Sequence, residues 1–256
     1  MRVTAVSTPL VNPGDDLLGI IGQSISKLPE RSVVVVTSKV VSFWERRLVP
    51  KRLHTKEEKQ ELVKKEADYY LPYHPSHKYQ MMLTIKGNTL FVNAGIDESN
   101  SNLQYSLWPI DPQVSANRIW RFLRQHYRVK QVGVTISDSR SYPLNWGVVG
   151  QALCHCGFKV LKSYIGKSDL FGYVMKMEQV NVGQAVTVAA VLVMGEGNER
   201  TPMAMVENVP GIEFQDRPPT KKELEALRIK LEDDAYAPIL TKVKWHKGEG
   251  GIRTRF

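Results

Sequence analysis

The sequence predicts an α+β protein, because it combines short β-branched runs with longer stretches in which apolar residues recur at helical spacing. Residues 32–38 contain four consecutive valines and predict a central strand that is buried on both faces. Residues 181–194 are rich in Ala and Val and are followed by Gly195, which indicates a buried helix with a C-terminal glycine cap. A chain of 256 residues is also long enough to enclose a hydrophobic core.

Turn and capping signals predict the elements of the first third of the chain. Turn residues that end in Gly14 indicate a loop that leads into a short helix over residues 17–25. Thr55, with Glu58 three residues later, predicts a capping box at the start of a polar, exposed helix. Within that helix, Glu61 precedes Lys65 by four residues and is expected to pair with it.

Further elements follow along the rest of the chain. They are a hairpin around residues 86–88, a helix opened by Asp111 and Pro112, a strand at 131–137, weaker strands at 159–164, 173–180 and 203–206, and a capped helix after Thr220. The proline pair at 218–219 is typical of a boundary. We therefore expect a main domain over residues 1–215 and a C-terminal helix with a basic tail over residues 216–256.

The charge of the chain suits a polyanionic partner. Lys and Arg number 35 against 26 Asp and Glu, which gives a net charge of +9 and a pI near 9.4. Nucleic acid and a phosphorylated small molecule both fit this charge, and solvated surface is the simpler explanation of the basic segment 45–65 and of the basic tail. We find no apolar run of bilayer length and no signal-peptide pattern, so a cytoplasmic protein is expected. The two cysteines, Cys154 and Cys156, predict packing rather than redox or zinc chemistry.

Three acidic residues stand at the ends of predicted elements. Asp97 and Asp138 each follow a strand, and Glu196 follows the helix stop at Gly195. Carboxylates that converge from strand ends suit Mg²⁺ or Mn²⁺, and a nucleotide triphosphate would complete the metal coordination. An acid at a strand end is also a common turn former or helix cap, so both interpretations stay open at this point. The Gly-x-x-x-x-Gly-Lys-Ser, Gly-x-Gly-x-x-Gly and Gly-x-Ser-x-Gly motifs are absent from the sequence.

The residues around two of these acids favour phosphate binding. Asn93 and Gly95 precede Asp97, and Asn100 follows it. Ser139 places a hydroxyl beside the second acid. Small residues let a phosphate approach the backbone closely, although the same segment is compatible with a simple Asx-turn.

A series of short motifs in a fixed order spans residues 5–207. They are residues 12–17, 38–42, 93–97 with 99–100, Pro109 with 111–112 and 115–116, 137–139, Tyr164 with Gly166, 169–170 with Gly172, and 193–196. In order and spacing, this series resembles the family of coenzyme F420-0:L-glutamate ligases (CofE). Together the motifs are far more specific than any one of them alone.

The resemblance implies a fold and an activity. Members of the family have an α+β fold without a P-loop, and they form an intertwined homodimer with sites near the subunit interface. They use GTP as co-substrate and divalent metal, Mg²⁺ or Mn²⁺, with two metal ions and K⁺ as expected cofactors. They join L-glutamate to a carboxylate of coenzyme F420-0 in a γ-linkage through an acyl phosphate.

The resemblance also implies residue roles. The implied metal ligands are Asp97, Asp138 and Glu196. The implied catalytic residues are Asp97, Asp138, Ser139 and Lys39, with Ser139 where the family usually has Thr. The implied nucleotide-binding residues are Ser38, Lys39, Ser42, Asn93, Gly95 and Asn100.

The sequence departs from the family pattern after Asp138, where Tyr142 and Asn145 replace two arginines. Loss of these guanidinium groups removes bidentate contacts to phosphate or carboxylate and leaves the acceptor open between coenzyme F420-0 and a folate. The flat ring of either acceptor would suit stacking on Trp146 or on the loop at residues 69–79. A non-catalytic relative that binds nucleic acid is the alternative from another class, although nucleic acid is not the expected partner.

Overall fold

The computed structural model describes residues 1–73, 78–79 and 81–251. The chain forms two compact units, each made of two separate stretches. The first unit comprises Met1–Val41 and Pro112–Pro219, and the second comprises Ser42–Asp111 and Thr220–Phe256. Both units contain helices and sheets, which confirms the α+β prediction. The division into residues 1–215 and 216–256 stays a prediction.

Helices and strands alternate irregularly along the described chain. The helices are α1 (Leu17–Ser24), α2 (Ser38–Trp44), α3 (Lys56–Glu66), α4 (Pro112–Tyr127), α5 (Val182–Met194), α6 (Lys221–Glu225) and α7 (Ala237–Leu240). The strands are β1 (Arg2–Val6), β2 (Ser32–Thr37), β3 (Leu48–Pro50), β4 (Tyr69–Tyr70), β5 (Leu83–Lys86), β6 (Thr89–Val92), β7 (Gln104–Ser106), β8 (Val132–Arg140), β9 (Val149–Cys156), β10 (Phe158–Lys159), β11 (Leu161–Ser163), β12 (Gln179–Asn181), β13 (Met203–Glu207), β14 (Glu213–Phe214) and β15 (His246–Lys247). Over the described residues, none of the helices has the length and apolarity needed to cross a bilayer.

The first unit is built on a five-stranded sheet with the order β1-β13-β2-β8-β9. Strand β2 lies in the middle, antiparallel to β13 and parallel to β8. Val33 and Val35 pack in one core with α5, while Val34 and Val36 point to the opposite face and are equally buried. The prediction of a central strand buried on both faces is confirmed.

Helix α5 begins and ends where the sequence predicts. The side chain of Asn181 caps its first turn by accepting the Gln184 N–H at 2.9 Å, and Gly195 ends it with a φ of 78°. The helix is not buried all round, however, because Val188, Leu192 and Val193 are exposed. Because these exposed residues of α5 are apolar, the sequence pattern does not show which side of the helix faces solvent.

The second unit contains the four-stranded sheet β15-β4-β5-β6. Its hairpin β5-β6 turns at Gly87 and Asn88, both with positive φ, as predicted. Strand β15 comes from the C-terminal stretch and pairs with β4. Directly after it, the amides of Glu249, Gly250 and Gly251 donate to carbonyls of the last turn of α3 and its C-cap, so the C-terminal stretch is part of this unit's fold.

Three details of the predicted helices are wrong. Thr55 does cap α3 by accepting the Glu58 N–H, but the Glu58 carboxylate accepts amides of residues 52–54 rather than that of Thr55. Glu61 pairs with Lys64 at 2.5 Å rather than with Lys65, because residues three apart also face each other on a helix. The capping box at Thr220 is present, but α6 ends at Glu225, although the spacing of Leu224, Leu227 and Leu231 predicts a helix as far as residue 231.

The strand predicted at residues 173–180 is also wrong. Strand β12 covers only the end of that segment, and Val174 forms an isolated bridge with Ser168. The carboxylate of Asp169 accepts the amides of Phe171 and Tyr173, which holds a turn at the start of the segment. After this turn, backbone hydrogen bonds with residues 164–169 are irregular and do not form a continuous strand. Of the loop at residues 69–79, residues 74–77 lie outside the described residues, as do residues 252–256 of the predicted basic tail.

A buried ionic cluster lies beneath the sheet of the second unit. The carboxylate of Glu66, at the end of α3, accepts hydrogen bonds from Arg47 at 2.9 Å and from Lys86 at 2.7 Å. All three side chains are at most 12% exposed. Burial alone would raise the pKa of Glu66, but Lys86 and Arg47 together hold the pKa below its usual value. The carboxylate is therefore charged at neutral pH and compensates two buried cations.

Candidate functional site

The carboxyl ends of the parallel strands β2 and β8 form the edge at which the first unit gathers its predicted site residues. Thr37 at the end of β2 is in register with Ser137 of β8, so Ser38, the first residue after β2, lies level with Asp138. Asp138 does not follow its strand as predicted, because β8 continues to Arg140 in its pairing with β9. Lys39 follows in the first turn of α2. Ligands of α/β sheets commonly bind at this type of edge.

Ser139 connects the two acidic residues of this edge. Its backbone N–H donates to Asp138 Oδ1 at 2.8 Å, and its hydroxyl donates to both carboxylate oxygens of Glu196 at 2.8 Å. Glu196 reaches this position because Gly195 ends α5 in a left-handed conformation that turns the chain. The structure thus brings together residues that are far apart in sequence.

Two arginines at this edge were missed by the sequence analysis. Arg140 ends β8 and donates to Gln151, the cross-strand neighbour of Asp138. Arg200 lies in the loop after Glu196 and donates to the carbonyl of Thr8 at 3.4 Å. Arg140 could have been predicted as a site residue, because it lies two residues after Asp138 in the sequence. Arg200 could not, because its position depends on the pairing of β1 with β13.

The side-chain oxygens at this edge are of the type that magnesium and manganese ions prefer. In neither unit do three His, Cys, Asp or Glu side chains gather as metal ligands, over the residues that the structure describes. Mg²⁺ in nucleotide-dependent enzymes is commonly held by one or two carboxylates, with phosphate and water oxygens completing the shell. Asp138, Glu196 and the Ser139 hydroxyl supply such hard oxygen ligands at the sheet edge.

Asp97 lies in the second unit, at the start of a tight turn. Its Oδ1 accepts the amides of Glu98 at 2.6 Å and Ser99 at 2.9 Å, and the Ser99 hydroxyl also donates to the carboxylate. These contacts form the Asx-turn with which the sequence of this segment is compatible. The backbone of Asp97 pairs with Ser106, which fixes the turn against β7.

The segment before Asp97 has an unusual backbone. Asn93, Ala94 and Gly95 are three consecutive residues with positive φ, and the Asn93 side chain accepts the Met82 amide at 2.9 Å. A Cβ at Gly95 would lie 2.0 Å from Nε1 of Trp108. Glycine is therefore required at this position for packing as well as for backbone conformation.

Replacing Gly95 with Ala is expected to destabilise the protein by about 2–5 kcal/mol, because left-handed strain adds to displacement of Trp108 from the core. Gly87→Ala is the matched control, since Gly87 also has positive φ but an added Cβ meets nothing within 4 Å. That variant should lose about 1–2 kcal/mol. Urea unfolding of both variants measures the difference, and equal losses would contradict the packing argument.

The other predicted site residues are placed as follows. Ser42 is buried, and its hydroxyl donates to the Leu107 carbonyl at 2.5 Å. Asn100 is exposed in the turn after Asp97. Trp146 is 87% exposed. Burial raises the pKa of the Cys156 thiol to about 12, so this thiol is uncharged at neutral pH. Nucleotide roles for Ser38, Lys39, Ser42, Asn93, Gly95 and Asn100 stay predictions.

Comparison with known proteins identifies the family. The model of the family F420-0:Gamma-glutamyl ligase matches residues 5–208, which include the sheet edge and the Asp97 turn. The chain belongs to this family. Membership confirms the resemblance inferred from the motifs and makes the protein an amide-bond-forming ligase.

Several relatives match over most of their length. A coenzyme F420:L-glutamate ligase of Methanopyrus kandleri is 34% identical over 207 residues, which is 75% of this chain and 80% of the relative. One of the same name from Archaeoglobus fulgidus is 31% identical over 78% of this chain and 84% of its own. A third, from Methanococcus maripaludis, is 28% identical over 91% of this chain and 96% of its own.

Proposed function

We propose that the protein is a GTP- and divalent-metal-dependent γ-glutamyl ligase that adds L-glutamate to a carboxylate acceptor of the coenzyme F420-0 type. The supporting observation is that Ser139 hydrogen-bonds both Asp138 and Glu196 at a sheet edge, in a chain that matches this family over residues 5–208. A cytoplasmic location, expected from the sequence, is part of the proposal.

The proposed reaction has two steps. In the first, an acceptor carboxylate oxygen attacks the γ-phosphorus of GTP, and the bond from that phosphorus to the β–γ bridging oxygen breaks to release GDP. In the second, the ammonium group of L-glutamate loses a proton to solvent, and the resulting amine attacks the acyl carbon. The nitrogen loses a second proton to solvent as the carbon–oxygen bond to phosphate breaks. The products are the amide, GDP and inorganic phosphate.

Catalysis of these steps rests on positioning and charge neutralisation rather than on a side-chain nucleophile. We assign Asp97, Asp138 and Glu196 as metal ligands, with Ser139 positioning the last two. Cations held by these residues would neutralise negative charge on the phosphate groups. Lys39, at the start of α2, would neutralise charge on the transferred phosphoryl group.

A homodimer is part of the proposal. Large apolar side chains are exposed along two segments of the first unit and on the outer face of α5. They are Leu144, Trp146, Ile165, Leu170, Phe171, Tyr173, Met177 and Leu192. Exposed apolar side chains are often covered at subunit interfaces, which supports the proposal of a homodimer.

A mass-spectrometric acceptor screen tests the proposed function. Incubation with GTP, Mg²⁺ or Mn²⁺ and L-glutamate should add one glutamyl unit to coenzyme F420-0, with equimolar release of GDP and phosphate. Dihydrofolate and tetrahydrofolate form the second arm, because Tyr142 and Asn145 stand where arginines are usual. Omission of glutamate is the control. Absence of a glutamylated product with every acceptor would contradict the proposal.

A further inference from the structure

The second unit contains a cavity of about 290 Å³ beside the N-terminal half of α3. Lys51, Lys56, Lys59 and Glu98 line the cavity, together with the buried ring of Tyr105. Sites for small ligands commonly measure roughly 300–1,000 Å³, so this cavity is suited to a ligand of amino-acid size. It does not involve the Ser139 edge of the first unit.

The charges inside the cavity are arranged around Glu98. Lys51 and Lys59 each lie 2.6 Å from this carboxylate, one at each oxygen, so their ammonium groups are held in place. Lys51 also lies 5.2 Å from the centre of the Tyr105 ring. Both lysines are less than one quarter exposed, which limits their screening by solvent.

Lys56 adds a third cation in the first turn of α3, and it forms no ion pair among the residues that the structure describes. Three ammonium groups therefore face one carboxylate, and the cavity carries an excess of positive charge. Charge-assisted hydrogen bonds from such lysines to a ligand carboxylate are among the stronger polar contacts.

We propose that this cavity binds the carboxylates of a glutamyl group, an inference that rests on the proposed ligase function. Glutamate carries two carboxylates, which the lysines would bind, and one ammonium, for which Glu98 is the complementary charge. Glu98 directly follows Asp97, so a ligand held here lies next to the Asp97 turn. The glutamyl group is either the free amino acid or the glutamyl end of an acceptor.

A phosphate chain fits the cavity less well than a glutamyl group does. The carboxylate of Glu98 would repel a triphosphate, and the lining among the described residues includes no arginine for bidentate phosphate binding. The same carboxylate favours a ligand with an ammonium group. The cavity is thus complementary to a zwitterionic dicarboxylate.

Steady-state kinetics and calorimetry of two variants test the inference. Lys56→Gln removes an exposed charge and Lys59→Gln a partly buried one, and each should raise KM for L-glutamate about tenfold or more. Lys65→Gln is the matched control, since Lys65 is an exposed lysine of the same helix outside the cavity lining. Calorimetric titration of L-glutamate into wild-type protein and variants should show the same loss of affinity without turnover.

The outcomes separate this inference from the proposed function. A rise in KM for the acceptor alone would assign the cavity to the acceptor's glutamyl end and keep the inference. An active enzyme whose glutamate and acceptor KM values stay unchanged in both variants, or change equally in Lys65→Gln, overturns it and leaves the ligase function standing. A rise confined to the KM for GTP overturns it as well. If the protein has no ligase activity but binds glutamate, and the variants lose this binding, the inference is kept and the proposed function is contradicted.

Discussion

Asp138→Asn is expected to lower kcat by roughly 10²- to 10³-fold while leaving the fold intact. The substitution removes a negative charge from the sheet edge, yet the Asn carbonyl can still accept the Ser139 amide that Asp138 Oδ1 accepts now. The variant should therefore lose a proposed cation ligand while the local backbone conformation is kept. Steady-state release of GDP over a series of Mg²⁺ and Mn²⁺ concentrations measures the effect.

Asp216→Asn is the matched control for this variant. Asp216 is an exposed aspartate of the same unit, away from the carboxyl ends of β2 and β8, and its loss should leave kcat within about twofold. Circular dichroism and thermal unfolding of both variants verify the fold. Full activity of Asp138→Asn would remove Asp138 from the proposed metal ligands.

Glu66→Gln is expected to destabilise the protein by about 3–5 kcal/mol, because it leaves Arg47 and Lys86 buried without a compensating charge. Glu61→Gln on the same helix is the control. Glu61 is exposed and pairs with Lys64, so its loss should cost less than about 1 kcal/mol. Urea unfolding followed by tryptophan fluorescence compares the two variants, and equal losses would contradict the burial argument.

The same variant has a defined pH dependence. The lowered pKa of Glu66 means that the folded protein binds fewer protons than the unfolded chain near that pKa. The contribution of the Glu66 charge to stability is therefore complete above the pKa of Glu66 in the unfolded chain, roughly 4.3. It is lost as the pH falls through the lower pKa of Glu66 in the folded protein. The stability difference between wild type and Glu66→Gln should shrink below about pH 4. Burial also lowers the pKa of Lys86 from its usual value.

Much of the fold could be predicted from short segments of the sequence. The valines of β2, the hairpin at Gly87 and the caps at Thr55 and Gly195 depend on a few neighbouring residues, and each is present in the structure. The wrong predictions arose where distant contacts decide the outcome. The Asp169 carboxylate accepts the amide of Tyr173, the first residue of the strand predicted at 173–180, and sequence spacing alone does not show this contact.

The candidate site was predictable in composition but not in geometry. Asp138 and Glu196 were identified as acids that follow regular elements, yet only the parallel pairing of β2 with β8 places Ser38 beside Asp138. The Ser139 hydrogen bonds to Glu196 likewise depend on how α5 ends at Gly195. The cavity of Lys51 and Lys59 was missed because the sequence analysis explained segment 45–65 as solvated surface.

The pairing of β15 with β4 has a consequence for the order of folding during synthesis. Residues 42–111 leave the ribosome early, but the strand that covers the β4 edge is translated more than a hundred residues later. Until then, the edge amides of the nascent chain stay open to pairing with other chains. The nascent chain is therefore open to aggregation at this edge until β15 has been translated, and molecular chaperones would protect it during that time.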